Sequence, residues 1–418
     1  MEGTSSCSIS SSSTPDGKAE DANQSAQTAP AVKEETVGVE ERPLKRGRTE
    51  PPGATAGPIR ESVESEAPAA PASNSIGAPS GDSIEMTEEE TPPAPWVGHQ
   101  NEVTACRFSP NGRFLCSSGL DKKVIVWDVL TGKRLNVLKK SLEDGGHTAG
   151  ISDVAWHWSN DYVCTASDDK TVKVWDCATG KVLMTLGSWN QYDVVDSHNS
   201  EVVCIDSNVN GNLIASGSSD MTVRLWDVRS GKCVQTIEAH SEKISSISFN
   251  WDGTEFVTSS YDGITRLWDT GTGLCLKSMV PPPKSQLDSS VFNATCARFS
   301  ANGKYILSGV MDSSVRLWNI GLGKCVRTYS GGHLNERYAS TVAFDKHKGE
   351  HVFTGSDNGE VCVYNLQTGA VFQKIENPLH VPIIALDTHP SKQMFAFGAL
   401  KGDATLSVKS MGQAGKYI

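Results

Sequence analysis

Short runs of alternating polar and apolar residues recur along the chain from about residue 96 onward. The run TVKVWD has valines at alternate positions, and this period of two predicts a β-strand with one apolar face. Runs of this kind are KVIVWD (123–128), TVKVWD (171–176), TVRLWD (222–227), ITRLWD (264–269) and SVRLWN (314–319). Each is followed within a few residues by glycine, which predicts a turn into a further strand.

The alternating runs belong to a longer repeat. The aromatic residue near the end of each run recurs every 42 to 51 residues from one copy to the next, from Trp127 to Tyr364. The sixth copy (354–370) has Tyr364 in place of tryptophan, and a worn seventh copy (397–410) keeps Asp403 but has lost the aromatic residue. A six-fold recurrence at this period indicates a repeat architecture.

Each of the first five copies has an aspartate just before the alternating run. We predict that it ends a tight turn by accepting hydrogen bonds from nearby backbone, and that its role is structural. The predicted structural aspartates are Asp121, Asp169, Asp220, Asp262 and Asp312, and the sixth copy has Asn358 instead. A histidine lies upstream of most copies, at His99, His147, His198, His240, His333 and His380.

The Trp-Asp dipeptide, the turn aspartate and the upstream histidine at this spacing resemble the WD-repeat family. The resemblance implies an all-β fold, a seven-bladed β-propeller with four strands per blade over residues 96–418. It also implies that aspartate, histidine, a strand Ser or Thr and the tryptophan form a buried polar network in each blade. Family members pair an N-terminal strand with the last blade. The candidate TPPAPWV (91–97) contains three prolines, so we expect a short clasp or one formed from other residues.

Composition separates residues 1–95 from the rest of the chain. They contain no Phe, Tyr or Trp and carry 17 Asp and Glu against 7 Lys and Arg, so we predict a disordered acidic tail rich in Ser, Pro and Glu. The totals of 49 and 38 leave 32 acidic and 31 basic residues for 96–418, which gives no basic footprint for nucleic acid. The cluster RPLKRGR (42–48) favours nuclear import, so we expect the protein to be in the nucleus. Whether it is also present in the cytoplasm stays open.

Motifs of other function classes are missing from the sequence. The 11 cysteines include no Cys-x-x-Cys pair, which fits reduced thiols and predicts no metal site. There is no Gly-x-Ser-x-Gly, phosphate-binding loop or His-Glu-x-x-His motif, and the recurring Ser, His and Asp fit the repeat better than a catalytic triad. No stretch has the length of a membrane span. We therefore expect that the protein is not an enzyme, uses no cofactor, does not associate with membranes and does not bind nucleic acid in a sequence-specific way.

Further stretches are similar, within the WD-repeat family, to the scaffold subunits of COMPASS-type histone lysine methyltransferase complexes. They include GISDVAW (150–156), SSYDG (259–263), FSANGKYIL (299–307), NERY (335–338) and NLQTG (365–369). The resemblance implies a non-catalytic scaffold that binds peptide segments of methyltransferase-complex subunits, or of a histone tail, on both propeller faces. We expect the propeller to be monomeric within such a hetero-complex.

One implied site is at the mouth of the central channel, where family members bind an arginine side chain between two phenylalanines. Acceptor groups and aromatic faces suit a planar, weakly hydrated guanidinium. The matching positions here are Thr104, Ser152, Asp168, Ser245, Tyr261 and Tyr338. The sequence departs from the family at Leu120, where a small residue is usual, and at Val203 and Thr341, which replace the phenylalanines. Loss of the two rings predicts weaker binding.

The second implied site is a groove on the opposite face, which takes an acidic-hydrophobic peptide. The matching positions are Asn302, Tyr305, Leu317 and Gln367. Lys346 replaces an apolar residue there, and it could pair with an acidic peptide or block an apolar contact. Ordinary strand packing is the alternative interpretation of Tyr305 and Leu317.

Two other functions stay open. LWDVR (225–229) resembles the short box with which substrate receptors dock onto the adaptor of a cullin-type ubiquitin ligase, although the repeat supplies all of it except Arg229. A generic propeller hub in another nuclear assembly, such as one in RNA processing, is the third hypothesis.

Overall fold

The computed structural model describes residues 96–138, 145–187, 197–282, 291–400 and 404–411. They form seven four-stranded antiparallel sheets, so the predicted seven-bladed all-β propeller is confirmed. The predicted tail (1–95) and Asp403 lie outside the described residues. In the described part of the chain, no helix has the length and hydrophobicity needed to span a bilayer.

The blades follow one another along the chain, and we number them in that order. Blade 1 contains β2 (Val103–Phe108), β3 (Phe114–Gly119), β4 (Val124–Asp128) and β5 (Arg134–Leu138). Blade 2 contains β6 (Ile151–Trp156), β7 (Tyr162–Ser167), β8 (Val172–Asp176) and β9 (Val182–Leu186). Blade 3 contains β10 (Val202–Ser207), β11 (Leu213–Ser218), β12 (Thr222–Asp227) and β13 (Lys232–Glu238).

The remaining blades repeat this order. Blade 4 contains β14 (Ile244–Phe249), β15 (Glu255–Ser260), β16 (Thr265–Asp269) and β17 (Cys275–Met279). Blade 5 contains β18 (Ala294–Phe299), β19 (Tyr305–Val310), β20 (Ser314–Asn319) and β21 (Lys324–Ser330). Blade 6 contains β22 (Val342–Phe344), β23 (His351–Gly355), β24 (Glu360–Asn365) and β25 (Val371–Glu376). Blade 7 contains β26 (Ile383–Thr388), β27 (Met394–Ala399), β28 (Thr405–Ser410) and the early strand β1 (Trp96–Val97).

The first strand of each blade is innermost, and these seven strands neighbour one another in a closed ring from β2 round to β26. The core lies between blades. One cluster, for example, packs Val126 of β4 against Trp156 and Val163 of blade 2. Because each blade buries its apolar face only against its neighbours, the array needs closure to complete its core.

Closure is made by a short clasp. β1 pairs antiparallel with β28, with Trp96 opposite Leu406 and Val97 opposite Thr405. The Trp96 ring lies 5.5 Å from the Trp127 ring of blade 1, so the two-residue strand links the last blade to the first. The expectation of a short clasp is therefore confirmed.

Candidate functional site

A chain of buried hydrogen bonds runs through each of blades 1 to 4. In blade 2 the Trp175 indole donates to the Thr165 hydroxyl at 2.9 Å, and that oxygen lies 2.7 Å from His147 Nε2. His147 Nδ1 lies 2.7 Å from an Asp169 carboxylate oxygen. Equivalent His–Asp contacts are His99–Asp121, His198–Asp220 and His240–Asp262, at 2.9 to 3.0 Å. The predicted structural role of these four aspartates fits this arrangement.

In blade 2 the electrostatics of the network favour a neutral His147 and an ionised Asp169. Burial lowers the pKa of His147, although the nearby Asp169 opposes this shift. Desolvation acts to raise the pKa of Asp169, but hydrogen bonds from His147, Thr171 and the Thr148 amide hold it well below its ordinary value. The Thr165 hydroxyl is fully buried, as are the equivalent serines and threonine, so this Ser/Thr-His-Asp arrangement offers a substrate no access.

Blade 5 holds its aspartate differently. Asp312 is paired with Arg316 at 2.6 Å, and both side chains are nearly fully buried. The residue 22 positions before Asp312, where blades 1 to 4 have histidine, lies outside the described residues. The sequence has Ser290 at that position, and Asp312 pairs with an arginine of the strand that follows it. The structural role fits, and the partner differs.

The channel-mouth face is the end of the propeller where the innermost strands begin. The pairing register shifts near the start of six of these strands, so each has a β-bulge there. Bulges re-aim side chains and are frequent beside functional sites. The residues at the bulges are Thr104, Ser152, Val203, Ser245, Thr295 and Ile384. Four of these were assigned from sequence to the channel mouth or to its missing rings, one in each of blades 1 to 4.

Only some predicted channel-mouth residues contact one another. The Ser152 hydroxyl donates to the exposed Asp168 carboxylate at 2.8 Å. The Thr104 hydroxyl donates instead to the Ile151 carbonyl of the next blade at 2.6 Å, and Ser245 donates in the same way to Ala294 at 2.7 Å. These two hydroxyls join blades, and each also lies 2.9 to 3.0 Å from a serine hydroxyl of its own blade, Ser118 or Ser259, so neither has its proton available for a ligand.

The Tyr261 ring is covered by a cation, Lys243, that was not predicted from the sequence. Its amide donates to the Lys243 carbonyl at 3.1 Å, and Lys243 Nζ lies 4.0 Å from the centre of the Tyr261 ring. Burial raises the pKa of the Tyr261 hydroxyl. Tyr338 is half-buried in the segment between β21 and β22. An exposed ammonium on Tyr261 competes with any arginine for that ring.

Carboxylates occupy the same rim in blades 1 to 3. Glu102 and Glu201 hold the position of Lys243 in blades 1 and 3, and their carbonyls accept from Leu120 and Ser219. In blade 2 that position is Gly150, and the side chain next to it is Asp168. We call Glu102, Asp168 and Glu201 the acidic arc. Comparing the residue two positions before Thr104, Val203 and Ser245 would have revealed Glu102, Glu201 and Lys243 from sequence.

The two positions of the family's phenylalanines have no aromatic substitute. Val203 is half-buried, and the Thr341 hydroxyl donates to the Ile384 carbonyl of blade 7 at 2.9 Å. Leu120 lies against Gly150, where an added Cβ would be 2.8 Å from its Cδ2. In place of the family's two phenylalanines, this chain thus has a hydroxyl engaged in blade-to-blade bonding and one aliphatic group.

On the opposite face, the four predicted groove residues lie at the boundary of blades 5 and 6. Tyr305 and Leu317 pack in one apolar cluster with Tyr329 and Tyr364, and Leu317 is only 7% exposed. Asn302 and Gln367 are exposed on turns at either side. The structure therefore brings the predicted groove together, with its apolar floor largely buried in packing between blades.

Lys346 is engaged within the propeller. Its Nζ lies 2.7 Å from Asp387 of blade 7. The two side chains line a cavity of about 240 Å³ at the opposite end of the channel, together with Arg107, Asp206 and Trp156. The sequence suggested that Lys346 pairs with a peptide or blocks one. It did not suggest this ion pair between blades.

Comparison with known proteins agrees with the fold. The chain is 26% identical over 142 residues to Protein tipD of Dictyostelium discoideum, which covers 34% of the chain and 21% of the relative. It is 30% identical over 146 residues to Mitochondrial division protein 1 of Kluyveromyces lactis (33% and 19%), and 29% identical over 170 residues to Nuclear distribution protein PAC1 of Coccidioides posadasii (36% and 34%). The chain thus spans about a fifth to a third of the length of these relatives.

A family model gives the broader match. The model described as the WDR5 beta-propeller domain, a WD-repeat propeller, matches residues 96–409, which includes every described strand apart from the last residue of β28. The protein belongs to the WDR5 beta-propeller domain family.

Proposed function

We propose that the protein is the non-catalytic WD-repeat scaffold subunit of a COMPASS-type histone lysine methyltransferase complex in the nucleus. Its family gives it a protein-interaction role. The family match over residues 96–409 carries the finer proposal, because the resemblance to these scaffold subunits extends across both faces of the propeller. The basic cluster at 42–48, which supports nuclear import, lies outside the described residues.

The channel-mouth face binds an arginine-containing segment of a histone or of the methyltransferase. The acidic arc supports this, since three carboxylates on adjacent blades attract a cation. Lys122 and Lys170 of the same turns donate to the Thr148 and Asn199 carbonyls. Because both stacking rings are missing and Lys243 covers Tyr261, binding is weak and salt-sensitive, with a dissociation constant on the order of tens of micromolar or above.

Calorimetry with an arginine-containing histone peptide tests the channel mouth. Val203→Phe with Thr341→Phe should tighten binding by restoring stacking, and Lys243→Ser should tighten it by freeing the Tyr261 ring. Asp168→Asn should weaken it, while Glu238→Gln, on an outer strand, serves as a charge-matched control. Tight wild-type binding that ignores salt would contradict this account of the mouth.

The opposite face binds an acidic-hydrophobic peptide of a second subunit at Asn302, Tyr305, Leu317 and Gln367. Arg327 supports this proposal, because it reaches across the same boundary to the Thr368 carbonyl at 2.9 Å and places a guanidinium beside the groove. Arg327→Gln should weaken an acidic peptide more than a neutral peptide of the same length, as measured by fluorescence anisotropy.

Affinity purification of the tagged full chain tests the identity of the complex. Recovery of methyltransferase subunits supports the proposal. Recovery of a cullin-ligase adaptor instead would support the second candidate, for which Arg229 is exposed on the turn after Trp226 and Asp227. Recovery of neither would favour a hub in another assembly. Two relatives are named for mitochondrial division and nuclear distribution, so sequences similar to part of this chain occur in proteins named for differing processes.

A further inference from the structure

A cavity of about 260 Å³ opens at the boundary of blades 1 and 2, on the same face as the groove of blades 5 and 6. We call it the first cleft. Its walls are largely apolar, and Leu135 at its rim is 52% exposed. The residues that line it include Phe114, Val126, Leu135, Trp156 and Cys177, with Asn136, Asn160, Asp161 and Ala178 as the remainder. The Trp156 indole already donates to the Arg107 carbonyl, so the ring presents carbon to the cleft.

Within the repeat, the first cleft lies at the same position as the groove between blades 5 and 6. Phe114 and Tyr305 both begin the second strand of their blade, and Val126 and Leu317 both precede the repeat tryptophan. The four groove residues Asn302, Tyr305, Leu317 and Gln367 correspond to Asn111, Phe114, Val126 and Ala178. Two boundaries of one propeller therefore present similar surfaces.

Comparison of the boundaries shows why the first cleft is open. The residue nine positions after each repeat tryptophan reaches across to the next blade. Gln235 donates to the Thr272 carbonyl, Lys277 to the Gly321 carbonyl and Arg327 to the Thr368 carbonyl, all at 2.9 to 3.0 Å. In blade 2 this residue is Met184, whose sulfur lies over Gly231.

At the first boundary the bridging residue is Asn136, which donates to the Cys177 carbonyl at 2.9 Å. It is shorter than Met, Gln, Lys or Arg, so less side chain covers the cleft. On the facing turn, Ala178 stands where blade 6 has Gln367. Because the facing position is glycine in blades 4 and 5 (Gly271 and Gly321), it is the short Asn136 that distinguishes this boundary from the others.

The rim carries one uncompensated charge. Asp161 is exposed, its carbonyl accepts from the Cys177 amide at 2.8 Å, and its carboxylate has no cation within 4.0 Å among the described residues. Arg113, on the other wall, lies over the Phe114 ring at 5.3 Å. A ligand that combines an apolar group with a positive charge complements these features.

We propose that the first cleft binds an extended segment of a partner protein, with one large hydrophobic side chain in the cavity and a neighbouring Lys or Arg beside Asp161. The volume exceeds the roughly 150 Å³ that holds a benzene ring, so an aromatic side chain fits. This site is separate from the channel mouth and from the groove of blades 5 and 6, and it does not depend on the identity of the complex.

Three synthetic seven-residue peptides with Gly and Ser flanks test the proposal on the full chain. They contain Phe-Arg, Phe-Glu or Ser-Arg at the centre, and a fourth carries photoreactive benzoylphenylalanine followed by Arg. We expect the Phe-Arg peptide to bind about tenfold more tightly than Ser-Arg, because only Phe fills the cavity. The photoreactive peptide should label the segments 111–136 and 156–178.

Variants taken from the other blades provide matched controls. Asn136→Met, the residue of blade 2, should close the cleft and lower Phe-Arg affinity about tenfold, whereas Asn136→Ala removes the bridge but leaves the cleft open and should retain binding. Asp161→Asn should remove the preference for Phe-Arg over Phe-Glu. Thermal melts establish that each variant is folded. Labelling elsewhere, no binding of Phe-Arg, or equal binding by Asn136→Met and Asn136→Ala would overturn the proposal.

Discussion

At the scale of single residues, the adjacent carboxylates Asp168 and Asp169 have different surroundings. Asp169 accepts hydrogen bonds from His147, the Thr148 amide and the Thr171 hydroxyl, and its side chain is 6% exposed. Asp168 is exposed and accepts from Ser152. One carboxylate holds the blade together, and the other is available to a ligand.

Replacing the two aspartates should therefore have unequal effects. Asp169→Ala leaves buried donors without an acceptor and should lower the free energy of unfolding by roughly 1–3 kcal/mol. Asp168→Ala should change it by no more than about 0.5 kcal/mol. Urea denaturation measures both, and equal losses would show that Asp168 is structural as well.

His333 should make stability depend on pH. Burial lowers its pKa from the ordinary 6.5 to about 4, and its Nδ1 lies 2.7 Å from the Tyr364 hydroxyl. Because the folded state binds the proton less well than the unfolded chain, its contribution is complete above pH 6.5 and is lost as the pH falls towards 4. Between pH 7 and pH 5 we expect a loss of about 2 kcal/mol.

Unfolding at the two pH values with His333→Asn measures this contribution. The variant should lose less stability on acidification than the wild type, whereas His347→Asn, at an exposed position, should follow the wild type. An unchanged pH dependence in His333→Asn would assign the loss to the other buried histidines.

At the scale of elements, turns on the opposite face lock one blade to the next. Trp158, in the turn after β6, lies with His157 against Gly211 of blade 3, and Trp251 lies against Gly303 of blade 5. Gly211 has a φ of 68°, in the left-handed region that glycine adopts without strain. This glycine thus serves both its own turn and the packing of the preceding blade.

Gly211→Ala should be more destabilising than Gly331→Ala. Both glycines have a left-handed φ, but a Cβ at Gly211 would collide with His157 and Trp158, while a Cβ at Gly331 meets nothing within 4 Å. Gly331→Ala therefore measures the backbone strain alone, about 1 kcal/mol, and Gly211→Ala should cost a further 1–3 kcal/mol. Urea unfolding compares them, and similar losses would mean that the ring contact yields easily.

At the scale of the whole propeller, stability depends on closing the ring. β1 has only two residues, yet Trp96 packs on the Trp127 ring and beside Gly132 while pairing with blade 7. The preceding prolines at 92, 93 and 95 lie outside the described residues. Among the described residues, the single aromatic side chain of Trp96 thus makes much of the contact by which the clasp links the first and last blades.

Trp96→Ala should weaken the closure. Loss of the half-buried indole should lower the free energy of unfolding by about 2–3 kcal/mol, whereas Val97→Ala, at a side chain 71% exposed, should have little effect. Hydrogen exchange should show the largest increase in blade 7. An increase spread equally over all blades would indicate that the clasp is not a local closure.

Features set by the repeat could be predicted from sequence. The alternating strands, the turn aspartates and the histidine partners in blades 1 to 4 all follow from residues within about 30 positions of one another. Contacts between blades could not be predicted in the same way. Lys243 on Tyr261 is local and could have been found, but Lys346 with Asp387 and Arg107 with Asp153 join residues 41 and 46 positions apart.

The sequence by itself determined the blade: its four strands, the residues of its polar network and the number of copies, because each is encoded by a period that recurs locally. Only the tertiary structure decided which surfaces stay open. The first cleft is open where Asn136, which is shorter than the bridging residues of the other blades, meets Ala178, 42 residues away. The Thr341 hydroxyl is occupied because blade 7 closes against blade 6. Such properties depend on the fit of neighbouring blades, because the repeat brings the same positions together at each boundary but does not set the size of the side chains that meet there.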